Sequence, residues 1–225
     1  MQVDSYSCYY WSSTTLTFGT FYAWVVDVKN GIGGNTSKSY SFYVWPLRAG
    51  QQNFPDTAYP ANIWKTGQTT SYYPGDDGDL EKGVAWPYPR FIDRGDGTVT
   101  DKLTGLMWTK DASLPGSSYT NWQEALDYVS GMNAGIYPNF GYKDWRIPNR
   151  KEFNSLADFS QYGPILPSGH PFINVVHNYY WSSTSYAFWT DYAYIIDMVY
   201  GNMYAGGKSI LLCDMWPVRS SQLGE

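Results

Sequence analysis

The chain is poor in the residue types that most catalytic and metal chemistry needs. Its 225 residues include two histidines and two cysteines, only 16% are charged, and 15 Lys and Arg stand against 20 Asp and Glu. A net charge of −5 with scattered basic residues argues against a nucleic-acid partner, because counterion release needs clustered Lys and Arg. A polyanion would need a local basic patch. No apolar run approaches the roughly 18 residues of a membrane span, and the N-terminus lacks the basic and apolar blocks of a signal peptide. An internal start would make that second absence uninformative about export. His170 and His177 stand at no metal-ligand spacing, and there is neither a Gly-x-Ser-x-Gly elbow nor a phosphate-cradling glycine loop. No active site is legible, so the expectation is a protein that is not an enzyme. His170, between Gly169 and Pro171, reads as a hydrogen-bonded loop residue.

What is abundant is aromatic: 11 Trp, 22 Tyr and 10 Phe, about twice the share of an average globular chain. Such a composition buries a substantial core and is not that of a disordered chain.

One passage occurs twice. Tyr9-Tyr10-Trp11-Ser12-Ser13-Thr14 returns as Tyr179-Tyr180-Trp181-Ser182-Ser183-Thr184, and the match runs on through Phe18/Phe188, Ala23/Ala193, Asp27/Asp197 and Gly31/Gly201. After one residue of slippage Trp45-Pro46-Leu47-Arg48 answers Trp216-Pro217-Val218-Arg219. About half the aligned positions are identical, a strong repeat signal. Residues 1–50 therefore read as the last third of a domain, 51–84 as an extended linker and 85–225 as the complete copy. Two readings of the partial copy stay open: a fragment of a longer tandem array, or an element that packs on another subunit as donated strands do. Residues 22–28 and 41–47 carry aromatic and β-branched side chains that need a partner surface. Cys8 and Cys213 fall at unrelated repeat positions, and both a bridge between them and two separate buried thiols are consistent with their flanking motifs.

Between the copies, the Gly- and Pro-rich connection suggests one short strand near residues 69–73 and an acidic turn in which Asp76, Asp77 and Asp79 are candidate calcium ligands, although the helix-loop-helix spacing is absent. Residues 90–93, 98–101 and 106–109 read as a three-stranded meander with Asp96-Gly97 in its tight turn; Asp93, Asp96 and Asp101 are a further candidate set for a cation, though hairpin chemistry explains them without one. The period then changes to that of helices. Thr120 or Asn121 caps the first, which carries Trp122, Ala125, Leu126 and Val129 on one face, and Asn149 caps the second in a capping box with Glu152. Strands return at 179–182, 193–198, 202–205 and 211–218, with turns at Tyr200-Gly201 and Gly206-Gly207. Strands, two helices and an antiparallel set make an α+β domain.

The ordered phrases Asp96-Gly97-Thr98-Val99-Thr100-Asp101, Leu106-Met107-Trp108, Trp122-Gln123-Glu124-Ala125, Asp144-Trp145-Arg146-Ile147-Pro148-Asn149, Gly169-His170-Pro171-Phe172, Tyr180-Trp181-Ser182-Ser183-Thr184 and Trp216-Pro217-Val218-Arg219 resemble the C-terminal domain of the Legionella collagen-like adhesin. The resemblance spans about residues 85–220. It implies a C-type-lectin-like fold with two helices and short antiparallel strands, related to formylglycine-generating enzymes, here preceded by a partial repeat of its C-terminal strands. It also implies architectural roles: Trp145 and Trp216 in the core, Arg146 and Arg219 held by buried backbone or carboxylates. Those enzymes need paired thiols in one domain, and the full copy has Cys213 alone. Trp181, shared by both copies, is expected to be structural.

The copies differ most in their connections, at Leu16/Tyr186, Gly19/Trp189, Phe21/Asp191 and Asn30/Tyr200. Tyr186, Trp189, Asp191, Tyr200, Asn202 and Tyr204 are accordingly the candidate ligand contacts, since loops on a rigid frame carry binding and Tyr and Trp give large contact area at low entropic cost. The expected protein is an extracellular or cell-surface bacterial domain that binds a glycan or protein ligand in adhesion. Its rivals are a subunit self-assembling into a homo-oligomer or filament through residues 1–50, and a diversified receptor-binding display.

Overall fold

In the computed structural model, which describes residues 8–47, 63–116 and 119–221, each copy of the repeated passage forms a three-stranded antiparallel sheet. The chain divides into two units, Met1–Trp86 and Pro87–Glu225. In the first, β1 (Tyr9–Thr15), β2 (Tyr22–Asp27) and β3 (Ile32–Ser37) lie in that order. The stretch that reads as a linker is, from Ile63 onward, part of this unit: Trp64 and Val84 form a parallel bridge, and the short helix α1 (Asp77–Leu80) packs on β1. No strand forms at residues 69–73. The carboxylates next to Pro74-Gly75 instead organise a helix start: Asp76 accepts from the Asp79, Tyr72 and Tyr73 amides, and Asp77 accepts from the hydroxyls of Thr14 at 3.1 Å and Thr66 at 2.5 Å. Position 78 must be glycine, because a Cβ there would sit 2.0 Å from the Thr70 carbonyl oxygen.

The second unit is α+β. The meander β4 (Phe91–Asp93), β5 (Thr98–Asp101) and β6 (Leu106–Thr109) is followed by α2 (Trp122–Asn133) and α3 (Arg150–Leu156), then by β7 (Tyr179–Ser185), β8 (Tyr192–Asp197), β9 (Met203–Gly207) and β10 (Val218–Ser220). Strand β10 returns beside β6, giving the order β10-β6-β5-β4, while β7-β8-β9 form a separate sheet. Both helices start with reciprocal capping boxes, Asn121 with Glu124 and Asn149 with Glu152, which satisfy amides that a helix start leaves free. The meander carboxylates are spent locally: Asp96 accepts from Thr98, Asp93 from Gly95 and Lys110, and Asp101 from Arg90.

Two segments depart from the alternating pattern. Gly206-Gly207 lies inside β9 instead of forming a turn, paired with Ala193 and Tyr192 of β8, and glycine is needed at 206 because a Cβ there would lie 2.5 Å from Leu211 and 3.3 Å from Trp181. Residues 211–218 are not one strand. This stretch changes partner at successive residues, bridging Cys213 to Thr120, Asp214 to Tyr180 and Met215 to Leu114 before entering β10.

The β7-β8-β9 sheet is buried on both faces. Tyr180, Ile196 and Trp216 join Val99, Trp108, Phe153, Leu156 and Phe172 in one core, whereas Trp181, Ile195, Cys213 and Met215 join Met107, Val129, Met132 and Trp145 in the other. Arg146 pairs bidentately with Glu152 at 2.6 Å, and Arg219 donates to Asp144 at 2.6 Å beneath the Tyr142 ring. The bridge between Cys8 and Cys213 is not formed. Both are free thiols, and burial in the second core, with the charge of Asp214 as a lesser cause, pushes the Cys213 thiol up to about 12.

Asp214 itself is fully enclosed. One carboxylate oxygen accepts from Ser113 and the other has no partner among the described residues; burial raises its pKa despite that hydrogen bond. A raised carboxyl pKa favours the fold most at acid pH, and that contribution is lost as pH rises through the folded-state value. Asp214→Asn is therefore expected to raise the melting temperature at pH 7 and to flatten its fall between weakly acid and neutral pH. Thermal melts across that range would refute this if the variant melted lower at pH 7.

The two sheets share their register. Tyr10 faces Val26 and Trp11 faces Val25, as Tyr180 faces Ile196 and Trp181 faces Ile195, and both pairings slip between the Trp and the residue four places on. They differ in what covers them. Trp216 is fully buried whereas Trp45 is 72% exposed, and Val218 is fully buried whereas Leu47 is 93% exposed. Val26 and Val28 are likewise open where Ile196 and Met198 are enclosed.

Candidate ligand-contact surface

The six candidate contacts do not form one site. Tyr186, Trp189 and Asp191 lie in the connection between β7 and β8, whereas Tyr200, Asn202 and Tyr204 lie beyond the far end of β8 or in β9. The six residues of β8 separate Tyr200 and Asn202 from the first group by on the order of 17–20 Å, whereas Tyr204, opposite Ile195, lies partway along the strand.

At the first end, the connection is closed by hydrogen bonds from the Tyr186 amide to the Tyr192 carbonyl at 2.8 Å and from the Tyr192 amide to the Trp189 carbonyl at 2.9 Å. Tyr186 is buried, its ring set edge-on to Tyr194 at 5.5 Å, so it supports the tip and does not contact solvent broadly. Phe188 and Trp189 stand on it, 70% and 57% exposed, with their rings 5.1 Å apart. Exposed Asp191 accepts the Lys208 amide through its carbonyl, and the Lys208 ammonium donates to the Ser185 hydroxyl at 2.7 Å and the Thr190 carbonyl at 2.8 Å while lying 4.1 Å from the Trp122 ring centre. The loop is thus tied to both β9 and α2. A braced pair of aromatic faces beside a carboxylate and an ammonium can stack on a flat apolar ring face and hydrogen-bond at its edge.

At the second end, Asn202 is buried and its carbonyl accepts the Asp197 amide, whereas Tyr200 and Tyr204 are partly exposed. Tyr204 packs edge-on against Tyr179 at 5.9 Å. Burial raises the pKa of Asp197, partly offset by backbone amides that donate to it, and burial together with the Asp197 charge raises that of Tyr204. This end is a closed turn more than a binding surface.

Phe188 and Lys208 escaped the comparison of copies because both are shared, with Phe18 and Lys38. The signal that finds Lys208 is that same retention. In the first unit Lys38 donates to Thr15 at 2.9 Å and lies 4.3 Å from the Tyr73 ring centre, bordering a shallow cleft of about 340 Å3 that Trp11 and Asp76 also line. Tyr73 there plays the part Trp122 plays in the second unit. Burial lowers the Lys38 pKa, with Asp76 opposing.

Asp76, Asp77 and Asp79 each accept hydrogen bonds from their own neighbourhood, and among the described residues no three acidic, histidine or cysteine side chains converge as a metal site would require. His170 is a half-buried loop residue that is hydrogen-bonded through its backbone, its amide donating to the Pro167 carbonyl at 3.2 Å, whereas its Nδ1 has no partner among the described residues; its ring rests on Phe172 and burial lowers its pKa. No helix among the described residues is long and apolar enough to cross a membrane.

A comparison with curated proteins returned no match. The family model described as the Lcl C-terminal domain matches residues 97–219, from the meander turn to the closing strand, so the chain belongs to that adhesin-related family.

Proposed function

We propose that the second unit is a C-type-lectin-like ligand-binding domain of an extracellular adhesion protein, without a catalytic role, and that it meets its glycan or protein ligand through the β7–β8 tip. The observation that carries this reading is the exposed Phe188–Trp189 pair on a hairpin braced by Lys208. A meander whose last strand is joined by the closing strand of the domain, with two helices between, supports the lectin-like assignment. Binding to an immobilised glycan panel and to cultured-cell surfaces tests it. Trp189→Ala and Phe188→Ala are each expected to weaken binding at least tenfold, about 1.4 kcal/mol or more, without lowering the melting temperature. Undiminished binding in both variants, with loss in Tyr204→Ala, would move the contact to β9.

A second reading, a structural subunit that assembles through residues 8–47, is favoured by the uncovered sheet face of the first unit.

A further inference from the structure

We infer that a second copy of this chain covers the open face of the first unit, two β1-β2-β3 sheets packing face to face about a twofold axis. This rests on the assembly reading above and specifies its partner and geometry. Tyr10, Val26, Val28, Tyr43 and Trp45 make up the face, and Leu47 is assigned to it by its repeat position, which answers Val218. Tyr10 and Val26 are opposite partners in the register, Val28 follows Val26 at the strand period, and the rings of Tyr43 and Trp45 lie 5.6 Å and 5.7 Å from that of Tyr10.

The second unit shows what this face requires. Tyr180, Ile196, Met198, Trp216 and Val218, at five of the six matching positions, are buried under Trp108, Phe153, Leu156 and Phe172, and Asp214, which answers Tyr43, is enclosed as well. Those covering residues are committed to the second sheet, and among the described residues no further set of the same kind remains. In the first unit five of the corresponding side chains stay open and Tyr10 is half-buried, leaving on the order of 600 Å2 in all, which is close to the lower per-partner limit of a stable interface. None of the six is charged, so identical faces meet without repulsion. Two twisted sheets pack face to face at about 10 Å through interdigitating side chains of this size. A self-complementary patch is used up by one partner, so the assembly closes at two and does not grow into a filament.

Light scattering of the full chain between about 1 and 100 µM, with Trp45→Arg, Val26→Asp and, as a control, Trp189→Ala, tests the inference. Twice the chain mass is expected for the unmodified chain and the control, and a single chain mass for the two face variants. A mass that keeps rising with concentration leaves assembly standing but overturns the twofold pairing; a monomer throughout overturns both. A dimer that survives both face variants also overturns the inference, since the contact then lies elsewhere. Hydrogen exchange on the unmodified chain guards against variants that fail to fold. Amides at 22–28 and 43–47 are expected to lose protection on dilution, and unchanged protection across that range counts against the pairing.

Discussion

Trp216→Ala is expected to destabilise the second unit by about 3–5 kcal/mol, whereas Trp45→Ala leaves the stability of the monomeric chain within about 1 kcal/mol. The two residues occupy the same place in the repeat, inside the same Trp-Pro phrase. Their surroundings differ entirely. Trp216 is enclosed by Trp108 at 5.4 Å, Phe172 at 4.7 Å and Tyr180 at 5.9 Å, and its indole donates to the Thr109 carbonyl at 2.9 Å. Truncation would leave a cavity that a close-packed aromatic cluster cannot collapse to fill, together with a carbonyl deprived of its donor. Trp45 touches Tyr10 and is otherwise open. Urea unfolding monitored separately for the two units is the measurement. Equal losses from the two substitutions would mean that the open face is covered in the monomer, and the structural contrast would fail.

Asp101→Ala is expected to cost about 3–5 kcal/mol, because it strands a buried cation. Asp101 is wholly enclosed and accepts from Arg90 through both carboxylate oxygens, at 3.1 Å and 3.0 Å, while also taking the Leu103 amide and the Thr104 hydroxyl. Arg90 in turn reaches the Ser155 carbonyl at the end of α3, so the pair ties the meander to the helix. Removing the carboxylate leaves four donors without their acceptor. The double variant Arg90→Leu with Asp101→Ala removes the unpaired charge and is expected to recover much of the loss. Chemical denaturation of the single and double variants decides it: a double variant less stable than Asp101→Ala would show that the guanidinium stabilises the fold without its partner.

Asp101 also illustrates how far the sequence can be read. Its place after a glycine-rich turn is legible as hairpin chemistry, yet its partner Arg90 comes from the preceding strand's approach and is fixed only when β4 and β5 pair. The helix caps were more accessible, since a capping box is closed by residues three apart and needs no tertiary partner. Segment 211–218 was less so. Its alternation looks like one strand, but each residue finds a different partner element. The candidate ligand residues shared a sequence region without forming one cluster, because the six-residue strand β8 carries Tyr200 and Asn202 away from Tyr186, Trp189 and Asp191 and leaves Tyr204 partway between, opposite Ile195.

By itself the sequence determined the repeat, the α+β order of elements, the helix starts and the lack of an apolar run of membrane length. These are written in short-range periodicity, in capping residues and in the identity of two copies. Tertiary structure alone decided that two sheets of the same register live differently, one enclosed and one with an open face. The reason is physical distance along the chain: Trp216 is buried by groups such as the Thr109 carbonyl, 107 positions earlier, and nothing inside the repeated phrase records whether such groups will be there.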